Sequence, residues 1–303
     1  MTSALILAAG KVPDESNRKP LDAIGGASSI KRLISVFKQA NVGKIVVVSG
    51  YDAGVLERHC ARMGVVFLRN DSYGTGDMLS SVKIGLRYIS GKCQKVFISP
   101  VNFPFFTDKT LRSMEDAAES VVIPMFKNKT GHPMLLPESL FDRVLDYSGA
   151  DGLEGALSGA DVKRCFLDVP DEGILVDMRN ENDMDSIIKE HSLREIRPEA
   201  RIRLSCEKVF FDSETLHLLA LTEETGSLKQ AARQMGISYS KALQMVADAE
   251  EQLGYAMLES RQGGSKGGGS DITESGIEFM RRYEMFASEC ESAVRDLFDK
   301  HFK

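Results

Sequence analysis

No apolar run in the 303 residues approaches the ~18 needed to cross a bilayer. The opening residues, MTSALILAAG, carry no basic segment of the kind that begins a signal peptide, and ALIL reads as a buried first strand. The expected location is the cytoplasm, with no membrane partner. Cysteine is sparse and scattered. Cys60, Cys93, Cys165, Cys206 and Cys290 are odd in number and contain no CxxC pair, which argues for reduced thiols and against a disulfide framework or a zinc site. Positive charge is not in surplus either: the formal net charge is −6, so any DNA surface must be a local patch. No internal repeat points to a solenoid. The 43% hydrophobic and 27% charged shares are those of an ordinary globular protein, and the length suits two domains or one large domain with an appendage.

Between Gly10 and Gly25 the chain has no glycine, and the place is telling. LAAGKVPDESNRKPLDAIGG, Leu7 to Gly26, lies between a strand-like run and a helical pattern, where many α/β proteins hold phosphate. Such a loop is usually glycine-rich. Here Pro13 removes an amide donor and stiffens the chain, and Asp14 and Glu15 would repel a triphosphate unless a metal intervened.

Over the first ~190 residues, ALILAA, KIVVVSG, VVFLR, KVFISP, SVVIPMF and HPMLLP read as short strands. Between several of them lie the helical patterns IKRLISVFKQA, MLSSVKIGLRYI and DKTLRSMEDAAE. That alternation predicts a three-layer α/β/α domain with a mainly parallel sheet. The charged segment His191–Ser205, containing Pro198, reads as a linker, and the domain boundaries are placed at 1–193 and 200–303.

After the linker come the strand-like RIRLSCEKVFF, three helical patterns, a glycine tract and a long last helix. Within TGSLKQAARQMGISYSKALQMVADAEEQLG, Ser227 stands at a helix N-cap and Gly236 permits a sharp turn. Ile237 is expected to bury in that turn. Ser238 caps the next helix, with Leu243, Val246 and Leu253 expected on its inner face. This is a helix-turn-helix. The second helix exposes Tyr239, Ser240, Lys241 and Gln244 near its N-terminus, where base edges and phosphates are met in a major groove. Ser227 and Lys229 lie at the start of the first helix. LESR and DIT, joined by QGGSKGGGS, read as a wing on which Arg261, Ser265 and Lys266 could follow the backbone. The unit is mildly acidic, so DNA binding would rest on one face; a helix-turn-helix used only for protein contacts is the plainer alternative. In the last helix Met280, Tyr283, Ala287, Cys290, Val294 and Leu297 recur at alternating threes and fours, with Phe279, Phe286 and Phe298 beside them. That stripe suits either a helix packed on its own domain or, as favoured here, a homodimer helix.

The words ETGSLKQAARQMGISYSKA, LESRQGGSKGGGSDIT and TESG, over roughly residues 201 to 290, resemble the winged helix-turn-helix of the ModE family of molybdate-responsive regulators, and more distantly that of LysR-type regulators. The resemblance implies sequence-specific binding of double-stranded operator DNA as a dimer. Molybdate-responsive regulators usually carry molybdate-binding domains after the winged helix; since this chain ends at Lys303, the effector is expected to bind the N-terminal domain.

LILAAG, the lysine of RKPL, IGG, SSVKIGL, SPVNFPFF and GHPMLLP, over roughly residues 1 to 190, resemble the MobA/MocA-like nucleotidyltransferases of molybdenum-cofactor synthesis. That family joins a nucleoside triphosphate to a phosphorylated pterin, with Mg²⁺ and release of pyrophosphate. By resemblance, Ala9, Gly10, Lys19, Ser80, Ser81 and His132 line a nucleotide or molybdopterin-like ligand. Lys19 and Asn102 are the catalytic candidates, and Asn102 and Asp177 the metal candidates. Each has a plainer alternative: Ser80 and Ser81 could cap a helix, His132 in GHP could be a structural turn residue, and Asp177 could serve a turn. The sequence also departs from the family. Asp14 stands at its arginine and Ser16 at its next glycine. Asn102 stands at an aspartate. In ILVDMRNENDMDSI, Asp177 and Asp183 match, but Arg179 replaces the central acid or amide. These changes together favour a regulator whose transferase-like domain senses a nucleotide or pterin. The alternative is an active Mg²⁺-dependent cytidylyl- or guanylyltransferase carrying an autoregulatory DNA-binding domain.

Overall fold

Seven consecutive residues with only Thr2 partly exposed, Thr2–Ala8, form the first strand, β1. A strand buried on both faces needs cover on both faces, and that is the signature of a sheet between helix layers. The computed structural model describes residues 2–10, 21, 23–24, 27–60, 63–74, 78–117, 120–159, 161–179, 198, 200–261 and 269–302. The chain divides into two compact units, Met1–Cys60 with Val65–Leu193, and Ala61–Gly64 with Arg194–Lys303.

In the first unit the elements run β1, the small hairpin β2 (Ala23–Ile24) and β3 (Ala27–Ser28), α1 (Ser29–Gln39), β4 (Lys44–Ser49), α2 (Ala53–His59), β5 (Val66–Arg69), α3 (Met78–Ile89), β6 (Lys95–Pro100) and α4 (Asp108–Asp116). β7 (Val121–Phe126), β8 (Lys129–Thr130), β9 (Met134–Pro137), α5 (Phe141–Asp146), α6 (Gly152–Ala156) and β10 (Arg164–Asp168) follow. The main sheet has the order β10-β7-β9-β6-β1-β4-β5, with β8 on β7. β1, β4, β5 and β6 are parallel, in registers such as Leu5↔Val46 and Leu5↔Ile98. β9 runs against both neighbours, so the sheet is mixed but mainly parallel, as the alternation predicts. β10 is not evident in the sequence, because RCFLD carries charge at both ends and no apolar run.

Helical periodicity places the core. α1 buries Ile30, Leu33, Ile34 and Phe37, one stripe at spacings of three and four. Phe37 packs on Phe97 and Phe106 at 5.8 and 5.5 Å between centroids. α3 lies so close to β1 that a Cβ on Gly85 would sit 2.2 Å from Leu5 Cδ1. The buried Asp171 ties the chain beyond β10 to the start of α4: its carboxylate accepts from Thr107 N at 2.8 Å and Gly173 N at 3.0 Å.

The second unit begins with a difference from the sequence reading. RIRLSCEKVFF is not one strand but a hairpin, β11 (Arg203–Ser205) and β12 (Val209–Asp212), because the polar SCEK segment turns the chain. Most of the expected linker lies outside the described residues, and its last three residues are β11. α7 (Ser213–Thr225), α8 (Leu228–Gln234), α9 (Tyr239–Leu253), the strands β13 (Leu258–Arg261) and β14 (Gly269–Ile272), and α10 (Glu274–Phe302) complete the unit. Phe211 is its centre, fully buried, with Phe279 and Tyr283 edge-on at 4.9 and 5.0 Å. Tyr283 Oη donates to Ile202 O at 2.7 Å, fixing α10 to the hairpin. Among the described residues no helix is long and apolar enough to cross a membrane, and all five cysteines are free thiols.

Candidate ligand site and nucleic-acid interface

The parallel strands of the first unit finish side by side, and in open α/β sheets ligands bind beyond those carboxyl ends. Leu7 O accepts from Val101 N at 3.0 Å and Ser49 O from Asn70 N at 2.8 Å, so the chain beyond β6 meets β1 and the chain beyond β5 meets β4. Ala9 is buried and Gly10 exposed at the end of β1. A Cβ on Gly50 would meet Tyr73 Cβ at 2.6 Å and Ala9 O at 2.7 Å, so only glycine lets β4 finish that close to the first loop. Lys19 lies outside the described residues, as do Asp14, Ser16 and Asp183.

Ser80 and Ser81 do not cap a helix. They lie within the first turn of α3, and both accept from Asn70 Nδ2, at 3.0 and 2.9 Å. Asn70 is 3% exposed and its Oδ1 accepts from Ser72 N at 3.0 Å. One amide therefore organises the loop between β5 and α3. The sequence reading missed Asn70, for which the polar RNDSYG after a strand is the only local sign.

Asn102, His132 and Asp177 come together at the end of β6. Met178 N donates to Asn102 O at 2.9 Å, and His132 N to Ile174 O at 2.9 Å. The His132 ring tilts against Phe103, 4.3 Å between centroids. A Cβ on Gly131 would lie 2.4 Å from Ile174 O, so glycine is required for this approach. Burial pushes the His132 pKa down to about 4, although the nearby Asp177 charge pulls the other way, so the ring is neutral near pH 7. His132 Nδ1 and Asn102 Nδ2 are both buried without a hydrogen bond of ordinary geometry.

Asp177 is held by its neighbour. Arg179 Nε donates to both carboxylate oxygens at 3.0 Å, and the Arg179 backbone N–H donates to Oδ1 at 3.0 Å. Burial would raise the Asp177 pKa, but the Arg179 bonds, helped by the adjoining Asn102 amide, outweigh it and hold the carboxyl below its usual range. These residues do not fit a divalent cation. Position 102 turns an amide N–H toward Asp177, and a guanidinium already occupies the carboxylate. Among the described residues no three His, Cys, Asp or Glu side chains are grouped to hold a metal.

In the second unit the caps are where the sequence puts them. Ser227 Oγ accepts from Gln230 N and Ser238 Oγ from Lys241 N, at 3.4 and 3.1 Å. Gly236, at φ 67°, makes the turn between α8 and α9. Two core expectations need correction. Ile237 is only half-buried, and Met235, at 3%, fills the turn instead. Leu243 is 45% exposed and Leu253 half-buried; the inner face of α9 is Ala242, Val246 and Ala249. Tyr239, Ser240, Lys241 and Gln244 are exposed together at its start, and Lys229 is exposed on α8. Lys241 reaches Glu214 at 3.4 Å, an exposed and hence weak pair. β13 and β14 form the wing, tied to the turn after α7 by Ser270 N donating to Gly226 O at 2.9 Å. Arg261 ends β13, paired with Gly269; Ser265 and Lys266 lie outside the described residues.

Comparison with known proteins follows the same division. A family described as "MobA-like NTP transferase domain" matches residues 4–164, and "Bacterial regulatory helix-turn-helix protein, lysR family" matches residues 213–276. The transcriptional regulator ModE of Yersinia pestis is 30% identical over 93 residues, 31% of this chain and 35% of that protein. The DNA-binding transcriptional dual regulator ModE of Escherichia coli K12 is 29% identical over 93 residues, 31% and 36% of the respective chains. The chain thus spans about a third of the length of these curated relatives. Among solved structures, a nucleotidyl transferase from Methanothermobacter matches at TM-score 0.55 and 19% identity, over 63% of this chain and 99% of that one. Rv0371c from Mycobacterium tuberculosis matches at TM-score 0.53 and 18% identity, over 62% and 98%.

Proposed function

Because this chain belongs to the MobA-like NTP transferase domain family, we propose that it is a DNA-binding transcriptional regulator whose family-fold unit binds a nucleotide or phosphorylated pterin as effector. The likeness of its second unit to ModE supports a link to molybdenum or molybdenum-cofactor metabolism. The units are assigned to 1–193 and 200–303. One observation carries the DNA-binding half: Tyr239, Ser240, Lys241 and Gln244 are all exposed on one capped helix start, while Ala242, Val246 and Ala249 bury the opposite face. The groove-facing residues can therefore read DNA at no cost to the core, Lys241 and Gln244 exchanging their exposed partners Glu214 and Asp248 for it. Ser227, Lys229, Ser238, Arg261, Ser265 and Lys266 are assigned to the surrounding backbone contacts. Ala9, Gly10, Lys19, Ser80, Ser81 and His132 are assigned to the effector.

Fluorescence anisotropy on genomic fragments, over a range of salt, tests this reading. The full chain should prefer one fragment over random duplex by at least about a thousandfold. Lys229→Ala, at an assigned backbone contact, should weaken all duplexes alike and lower the salt slope by about one unit. Equal affinity for every duplex, or none, rejects the regulator. The retained family fold supports a second reading, a Mg²⁺-dependent nucleotidyltransferase with an autoregulatory DNA-binding unit, against which the Arg179–Asp177 pair weighs. Its signature would be pyrophosphate released from a triphosphate and lost in Lys19→Ala.

A further inference from the structure

Where the family resemblance calls for a divalent cation, this chain places a guanidinium. We propose that Arg179 takes the cation's role, so that the first unit binds the phosphate of its ligand without a divalent metal. This rests on the reading of that unit as a binder of a phosphorylated ligand.

The ion pair is asymmetric in the way such a site needs. The Asp177 side chain is 12% exposed and the Arg179 side chain 57%, so the acid is the anchor and the cation faces outward. Nε, Nη2 and the backbone N–H of Arg179 all donate to Asp177, while Nη1 has no partner among the described residues. A planar fork fixed at one edge keeps its orientation, and guanidinium geometry matches two phosphate oxygens at once. A divalent cation between two acids and a guanidinium paired with one acid solve the same problem. Each puts a positive group against phosphate on a largely neutral support. One neighbour also lacks a partner: His132 Nδ1 is buried in the same cluster with no hydrogen bond among the described residues, and native structures rarely leave such an atom without cause. The neutral His132 adds no repulsion toward a cation and no competing charge toward an anion.

The test is isothermal titration of the full chain with inorganic pyrophosphate and with each of the four common nucleoside triphosphates, in EDTA and in Mg²⁺. At least one should bind in EDTA with an affinity within about threefold of that in Mg²⁺. Arg179→Gln should weaken the EDTA binding by about tenfold or more, a loss of one charge-assisted contact. Arg179→Lys, which keeps the charge but not the fork, should fall between. Arg179→Asp should shift binding toward dependence on Mg²⁺. Thermal melting of each variant without ligand guards against simple unfolding, and the Lys variant keeps the test valid if the Gln variant melts low. Binding that needs Mg²⁺ in the unaltered chain overturns the inference and leaves the ligand-binding reading standing. EDTA-resistant binding untouched by Arg179→Gln overturns it too, with the ion pair then a structural turn only. No binding in either buffer overturns both.

Discussion

Burial holds the His132 imidazole neutral down to about pH 4, whereas in the unfolded chain it takes up a proton near its ordinary 6.5. Above pH 6.5 both states are neutral and the residue adds no pH dependence. Below it the unfolded state binds the extra proton, so stability falls as the pH drops from 6.5 towards 4. The full window is worth at most about 3 kcal/mol at 1.36 kcal/mol per pKa unit. Melting temperature against pH checks this: His132→Gln should lose less stability than the unaltered chain between pH 6.5 and 4.5. Parallel curves would mean that His132 does not titrate as described. The same burial pushes the Cys60 thiol up to about 11, which keeps it protonated and unreactive. At this scale, the family resemblance already grouped His132, Asn102 and Asp177 at one site, but not the hold of Arg179 on Asp177 or the burial that keeps His132 neutral. Their neighbourhood is made by the end of β6, the start of β9 and the 3₁₀ turn Glu172–Leu175, which are distant in sequence.

Helices α8 and α9 were legible because their determinants are local. Ser227, Gly236 and Ser238 act on residues within three or four positions, so the string of letters contains the interaction. Ser238→Ala removes the acceptor for Lys241 N and should cost about 1 kcal/mol, read as a lower denaturation midpoint together with weaker DNA binding. An unchanged midpoint would show that the exposed cap is dispensable. The inner face was less legible. Leu243 looks like a core residue by type, yet α9 buries 242, 246 and 249, and 243 falls about 100° round the helix from 242. Two alanines line the buried face because α9 packs closely on its neighbours, and a hydrophobicity pattern does not announce close packing by small residues.

At the scale of the whole molecule, α10 is the element that keeps large apolar side chains exposed. It runs 29 residues, about 43 Å at 1.5 Å per residue, and its anchors are near the start: Met280 at 7% and Tyr283 at 3% exposed. Farther along, Ala287, Cys290 and Val294 are half-buried, and Phe286 and Leu297 are 49% and 56% exposed. The first turns serve the unit's own core, and the remainder leaves exposed the apolar surface that the expected homodimer would cover. Sedimentation of the unaltered chain should give twice the mass of one chain. Leu297→Lys, a charge in the proposed seam, should shift it towards the monomer and weaken binding to a two-half-site operator. A monomer in the unaltered chain would reject the dimer.

The sequence by itself determined that there are two kinds of unit, an α/β sheet with helices on it and a capped helix-turn-helix with a wing. Period-two and period-3.6 patterns, caps and turn glycines all act over a few residues, so both units could be read before any coordinates. Only the tertiary structure decided the chemistry at the strand ends. Asn70 joins Ser80 to Ser81, Gly131 brings His132 against Ile174, and Arg179 closes on Asp177 beside Asn102. Arg179 is only two residues from Asp177, but the burial and the Asn102 amide that complete the cluster come from segments that meet only when the sheet is assembled.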